Sequence, residues 1–539
     1  MRLRRFLLLG PLAAGLLLGP GCARREGPAA AARRSQTLLL GNGAEPQDLD
    51  PQIVVVFTDQ NIVISLFEGL TCMDEKTSQP VPGVAERWEA SADGLAYTFH
   101  LRADARWSDG SPLTADDFVF SFRRILSPGL ASEYSYLLYP IKNAEAFNTG
   151  KLADFSAVGV RALDAHTLRL ELGHPCPYLP ALASLPPWFP VPRATIEKFG
   201  PFDRRGTAWT HPGNLVGNGA FVLKEWSPNA RIVVETNPLY WDAAHNSLHA
   251  VVFFPNDNIA TDEANFRAGQ LHVTNDLLPD RIAHYRATAP QSLRIDPFIE
   301  TYYLGFNTTR PPLNDPRVRQ ALGRAIDREA IARDVLQGSR PPAYAFTPPD
   351  TAGYTPIARL PTDFVGARQL LAAAGYPGGK GFPHLQIQMF TDAINTKVLE
   401  AIQQMWHREL GIEVTLTNQD YRVYIDEERS LAYDISLMRW IGDYDDPSTF
   451  IGLYRSDCPN NWTGWKDPAY DRLNDQADGQ LDPARRFAFL QQAEARLLDQ
   501  APIAPIFHGT RTYLIQPYVQ GWVPSLLGTH RYQYVRLEP

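Results

Sequence analysis

Along residues 96–102, Tyr97, Phe99 and Leu101 alternate with Thr98, His100 and Arg102. A period of two predicts a strand with one buried face. The pattern then changes. Asp109-Gly110 marks a tight turn, and Phe118, Val119, Phe122, Ile125 and Leu126 recur at helical spacing behind Thr114 and Asp117. A threonine cap with an acid in the first turn satisfies N–H groups that a helix start leaves unpaired and complements the helix dipole. The same alternation of elements continues downstream. Residues 38–40 predict a short strand. Asn314-Asp315-Pro316 predicts a helix start, with Val318, Ala321, Leu322, Ala325 and Ile326 on one face. Residues 397–410 carry Val398, Leu399, Ile402, Met405 and Trp406 at helical spacing; Gly411 stops the run, and Ile412, Val414 and Leu416 alternate as a strand. Asp482-Pro483 opens a further helix and residues 503–507 a further strand. Helices that feed strands through short glycine stops predict an α/β fold.

The first residues break this pattern. Arg2, Arg4 and Arg5 precede an apolar run over 6–18, and Cys22 follows Gly19-Pro20-Gly21. The run is too short to span a bilayer, so residues 1–21 read as a signal peptide. A cysteine directly after small residues resembles the lipoprotein cleavage site, although Gly19 stands where such sites favour Leu. Acylation of Cys22 is therefore expected, each buried methylene of the chains adding about 0.8 kcal/mol of membrane affinity. Residues 22–36, rich in Ala, Arg and Gly, read as a flexible lipidated tether.

Composition narrows the partners. The 539 residues are enough for two or three domains, and 44% hydrophobic with 11% aromatic content supports large cores. The net charge of −8, with no basic block after the tether, speaks against nucleic acid. Beyond Cys22 only Cys72, Cys176 and Cys458 remain; their spacing fits no zinc pattern and allows at most one disulfide within the chain. His245 and His249 have i, i+4 spacing but no neighbouring glutamate, so no metal is expected. GYPGGKG at 375–381 lacks the spacing and the Ser/Thr of a phosphate loop, and no G-x-S-x-G elbow is present. Neither a cofactor nor an activated nucleophile is predicted.

Several stretches, in this order, resemble one family: LFEGL at 66–70, the run 81–125, VPRATIEKFG at 191–200, Asn218-Gly219-Ala220-Phe221, Thr301-Tyr302-Tyr303, PPLNDPRVRQAL at 311–322 and WIGDYDDPSTF at 440–450. The chain is similar to the oligopeptide-binding receptors of ABC importers over nearly its whole mature length. The resemblance implies a two-lobed, type II-like periplasmic binding protein fold with an extra domain inserted in the first lobe. It implies lobe I over 37–67, 196–299 and 511–539, the inserted domain over 68–195 and lobe II over 300–510. It also implies an oligopeptide enclosed between closing lobes, an inner-membrane ABC permease as partner, a monomer, and a periplasmic or envelope location. The alternatives are a receptor for another amine-bearing solute, such as a cell-wall peptide, and a secreted peptidase.

For the site, the resemblance carries specific roles. Asp443 matches the aspartate that receives the peptide ammonium. Trp440 matches a cleft-lining tryptophan, Tyr421 stands where the family often has tryptophan, and Tyr134 matches a cleft tyrosine of the inserted domain. Tyr303, early in lobe II, is expected to face the cleft. On residue chemistry alone, Asp443, Asp445, Asp446 and Pro447 form a turn-rich cluster; only Asp443 is singled out by the resemblance. The departures lie at the other end of the ligand. Positions that match the family's carboxylate-binding bases hold Leu336, Asn395 and Leu437. Arg439 is nearby and takes over if its side chain points inward, strand alternation setting it against Leu437's neighbours.

Overall fold

The computed structural model describes residues 27–390 and 393–539, with only the backbone given for Ala393 and Tyr421. The signal peptide and Cys22 lie outside these residues. Helices and strands alternate through the chain, and the strands gather into three principal sheets.

The first sheet has four strands, in the order Thr37–Gly43, Ala250–Pro255, Arg231–Thr236 and Phe221–Ser227. Thr37–Gly43 runs parallel to Ala250–Pro255, and the other pairs are antiparallel. Its first two strands are neighbours in space yet about two hundred residues apart in sequence, and much of the intervening chain forms a second sheet. That sheet is antiparallel throughout, in the order Ala85–Ala90, Ala96–Leu101, Thr167–Glu171, Val160–Asp164. Helix Ala115–Ile125 carries Phe118, Phe122 and Ile125 into the core beneath it. The helix starts in a capping box in which the Thr114 N–H donates to the Asp117 carboxylate at 2.8 Å. The first sheet and the excursion share one hydrophobic core, in which Leu38, Phe99, Phe122 and Phe253 all take part.

The third sheet has five strands in the order Val414–Gln419, Leu385–Phe390, Ile435–Ile441, Leu293–Phe306, Ile503–Leu514. One of its faces packs under helices Pro316–Arg324 and Ala393–Leu410, with Leu322, Ile402 and Trp406 fully enclosed. The opposite face builds a separate core around Tyr303, Phe346, Phe450 and Tyr454.

Two long strands join the halves. Leu293–Phe306 and Ile503–Leu514 pair antiparallel from Leu293–Leu514 to Gly305–Ile503, with a break in register between Pro297 and Thr301. On one side of the break Leu514 packs with Phe266, Leu277 and Tyr285; on the other, Leu304, Ile506 and Phe507 belong to the lobe II core. Pro297 cannot donate to the ladder, and the register shifts again between Tyr302 and Tyr303, so the pairing is irregular where the strands pass from one core to the other. The expected boundaries at 300 and 510 fall inside these continuous strands. The chain then returns to lobe I, where Ile515, Val519, Tyr532 and Leu537 join the first core.

One expectation is corrected, and one open point is resolved. The tether does not extend to residue 36, because Pro28–Arg34 is a helix docked on lobe I. Ala29 is buried, its N–H donates to Gly269 O at 3.0 Å, and the Arg33 guanidinium lies 4.1 Å from the Tyr518 ring centroid. An alanine-rich run behind proline has helix propensity, and a small residue on its inner face lets it approach the sheet closely. The three described cysteines are all free thiols, so the single disulfide that their number allowed is not formed among them. His245 ends a short 3-10 turn and His249 leads into a strand, and no metal-holding cluster occurs among the described residues.

Candidate functional site

Strand Ile435–Ile441 delivers the loop that carries Asp443 into a cavity between the lobes. Gly442 leaves the strand with its N–H donating to Ile299 O at 2.7 Å. A Cβ at Gly442 would stand 2.8 Å from the Ile299 side chain, so only glycine fits that passage. Thr449 then fixes the loop. Its hydroxyl accepts from the Asp443 N–H at 3.0 Å, and its carbonyl accepts from Trp440 Nε1 at 2.8 Å.

The acids of this loop divide by role. Asp446 receives a two-pronged contact from Arg486, at 2.6 and 2.7 Å, and caps Ser448. Asp445 accepts the Ala352 N–H at 2.8 Å, and burial pushes its carboxyl up to about 7. Asp446 behaves as the turn cluster predicts, whereas Asp445 lines the same cavity as Asp443 while its carboxylate holds the Ala352 N–H. Asp443 lines the cavity, and burial pushes its carboxyl up to about 6, with a hydrogen bond from the Tyr136 hydroxyl working the other way. No cationic side chain stands within ion-pair distance of Asp443 among the described residues.

The opposite wall comes from the inserted region and lobe I. Tyr134 lines the cavity, and burial first, then the Asp443 charge, raises its hydroxyl to about 12. Tyr134 and Tyr136 have ring centroids 6.0 Å apart. The cavity holds about 320 Å³, and much of its wall is apolar, including Phe57, Phe67, Phe189 and Phe298. Glu68 lies at its edge, buried, receiving Trp241 Nε1 at 2.7 Å with Arg531 at 3.8 Å. The Asn218 side chain clamps the Glu68 backbone, accepting its N–H at 3.1 Å and donating to its carbonyl at 2.8 Å. The LFEGL and Asn218-Gly219 stretches are therefore halves of one structural joint. Lobe II also meets the inserted region beside the loop: the rings of Tyr178 and Tyr444 stack at 5.2 Å and 4°, and Gln79 Nε2 donates to Ala352 O at 2.8 Å.

The structure brings Asp443 and Tyr134 together at the cavity. Trp440 is partly buried against the lobe II core and supports the loop from behind. Tyr303 does not face the cleft. It pairs with Met438 on the enclosed side of the sheet, 3% exposed, edge-on to Phe346 at 5.0 Å. Alternation gives the other face to Tyr302, whose ring stacks on Phe507 at 4.5 Å. Tyr421 opens helix Tyr421–Arg429, and its side chain lies outside the described residues. Arg439 is exposed, on the strand face of Ile441, with Glu300 at 3.6 Å. Leu336, Asn395 and Leu437 are all buried and present no charge to the cleft. Sequence reasoning missed Tyr136, for which spacing two residues after Tyr134 was the available signal.

Residues 79–462 match the family model of the bacterial extracellular solute-binding proteins, family 5 Middle. The chain is 36% identical over 533 residues to the periplasmic oligopeptide-binding protein OppA of Escherichia coli (strain K12), covering 96% of each sequence. Among solved structures it resembles the unliganded open form of the periplasmic murein tripeptide binding protein MppA, with a TM-score of 0.84, 36% identity, and 93% and 97% of the two chains covered. For the structure of the Escherichia coli murein tripeptide binding protein MppA the TM-score is 0.73, at 35% identity with 93% and 98% covered.

Proposed function

This chain belongs to the bacterial extracellular solute-binding proteins of family 5, and on that footing we propose that it captures short peptides by their free amino terminus and delivers them to an ABC permease. The observation that carries this reading is Asp443, an acid in the inter-lobe cavity with hydroxyls but no cation beside it. A carboxylate withdrawn from water is costly until it gains an opposite charge. A peptide ammonium supplies that charge together with N–H donors, in a charge-assisted bond of the stronger kind.

The rest of the cavity suits tolerant recognition. Backbone of an extended ligand can pair with strand edges without regard to side chains. Unfilled volume in a cavity of about 320 Å³ can take water. The break at 297–301 in the joining ribbon gives the lobes a place to bend as they close. In the same reading Cys22 carries the acyl anchor and the protein works as a monomer at the membrane surface. No helix among the described residues is long and apolar enough to cross a membrane.

Binding without hydrolysis is part of the proposal. Native mass spectrometry of protein purified without refolding, before and after incubation with a peptide mixture, tests it. Intact peptides with free amino termini are expected in the bound fraction. Shortened products accumulating with time would replace this reading by that of a peptidase.

A further inference from the structure

The inter-lobe cavity has an uneven balance of charge. Five carboxylates line it, those of Glu68, Asp74, Glu75, Asp443 and Asp445, against the guanidinium of Arg531 and the ring of His530. Three of these acids have partners built into the chain. Glu68 has Arg531 at 3.8 Å and the Trp241 Nε1 donor at 2.7 Å. Glu75 takes the Arg531 N–H and has His530 Nδ1 at 3.4 Å. Asp74 closes its own turn by accepting the Thr77 N–H at 2.8 Å. Asp443 and Asp445 remain. Among the described residues no basic side chain stands close enough to shift either carboxyl, and burial holds both above the usual carboxylate range.

Asp445 is the more enclosed of the two, 4% exposed. Its carboxylate is oriented from both sides of the cavity. It accepts the Ala352 N–H at 2.8 Å within lobe II. It also accepts from the hydroxyl of Ser78, which lies in the turn between strands Thr71–Asp74 and Gln79–Pro82 of the inserted region. Gln79 Nε2 donates to Ala352 O at 2.8 Å and ties the same two segments together. Asp446, the next residue, has instead a full ion pair with Arg486 at 2.6 Å. Neutral donors fix the direction of the Asp445 carboxylate but leave its charge uncancelled, which is costly in a site withdrawn from water.

We propose that Asp445 is a specificity-determining residue, which together with Asp443 favours peptides whose first residue has a basic side chain: the amino terminus goes to Asp443 and the side-chain cation to Asp445. This rests on the peptide-capture reading above. Two residues of chain separate the acids, at most about 7 Å of backbone even if fully extended. A first-residue lysine carries two cations separated by a span of the same order, whereas a cation on the third residue of an extended peptide lies beyond it. The apolar part of the wall, with Phe298, Ile441 and Leu526, suits the methylene stem of such a side chain, which packs on apolar surface while its head meets charge. A neutral side chain in the same place leaves Asp445 uncompensated, so selection comes from a missing partner and not from a clash.

The test uses the full folded protein, titration calorimetry and three peptides: Lys-Ala-Ala, norleucine-Ala-Ala, which keeps the stem without the charge, and Ala-Ala-Lys, which keeps the net charge at the far end. Wild type is expected to bind Lys-Ala-Ala about tenfold more tightly than either of the others, the size of one charge-assisted hydrogen bond. Asp445→Asn keeps an acceptor for the Ala352 N–H and is expected to bring the lysine-to-norleucine ratio close to one. Asp443→Asn is expected to weaken both peptides together and keep the ratio. If Asp445→Asn does not fold, wild type alone decides. Burial holds the Asp445 carboxyl up at about 7, so near that pH Lys-Ala-Ala should release more protons on binding than norleucine-Ala-Ala. Equal proton release, a ratio of one in wild type, a ratio that survives Asp445→Asn, or Ala-Ala-Lys binding as tightly as Lys-Ala-Ala overturns the proposal while leaving peptide capture standing. Failure of every peptide to bind overturns both.

Discussion

At the scale of single residues, Asp443 makes the sharpest statement, because the proposed reading couples its ionisation to peptide binding. Burial holds its carboxyl up at about 6. An ammonium partner favours the charged form, so the bound state has a lower pKa than the free one. Linkage then fixes the sign. Above about 6 the free site is already ionised and affinity is flat. As the pH falls through about 6 the site must first lose a proton, so affinity declines, by at most tenfold per pH unit, until the lower bound-state pKa is passed. Titration calorimetry in buffers of different ionisation enthalpy should detect proton release on binding near pH 6, and Asp443→Asn should abolish both the release and the slope. A site whose affinity is unchanged between pH 7.5 and 5 would not be using this carboxylate. The place of Asp443 in the cavity wall was legible because a motif surrounds it; composition alone could not separate it from Asp445 and Asp446. Tyr303 was misread for a physical reason. Two adjacent tyrosines on a strand face opposite ways, and which one is enclosed depends on what later packs on each side of the sheet, here Phe346 and Tyr454 against Tyr303.

At the scale of elements, the long periodic segments were readable and the joints between them were not. Residues 397–410 lie within helix Ala393–Leu410, and the cap at Asp315 precedes helix Pro316–Arg324. In each, the apolar spacing decided the outcome because one face is buried. The helix Pro28–Arg34 was missed since nothing in its composition announces the surface on which it docks. The joint between Glu68 and Asn218 spans 150 residues and is invisible to local pattern. Its loss leaves a buried N–H and a buried carbonyl unpaired, each costing roughly 1–3 kcal/mol. Asn218→Ala is therefore expected to destabilise the protein by about 2–4 kcal/mol in denaturant unfolding. A loss within experimental error would mean that water replaces the side chain there and that the joint is dispensable.

At the scale of the whole molecule, two lobes joined by a pair of long strands enclose a cavity that carries Asp443 in its wall. The order of motifs foretold the two lobes and the excursion; it could not foretell which side chains meet in the cavity between them, because those come from segments far apart in the sequence. In the proposed reading, closing around a peptide sets the Asp443 loop and the tyrosines of the inserted region against the ligand amine. The central claim is that this amine is what the molecule recognises. The most direct measurement is the affinity of wild type and Asp443→Ala for one short peptide with a free amino terminus and for the same peptide acetylated there. The account predicts that wild type prefers the free amine by about 2–4 kcal/mol, the usual size of a lost enclosed charge pair, and that Asp443→Ala binds both forms with nearly equal, weak affinity. Equal losses for the two peptides on substitution, or a wild type indifferent to acetylation, would contradict it.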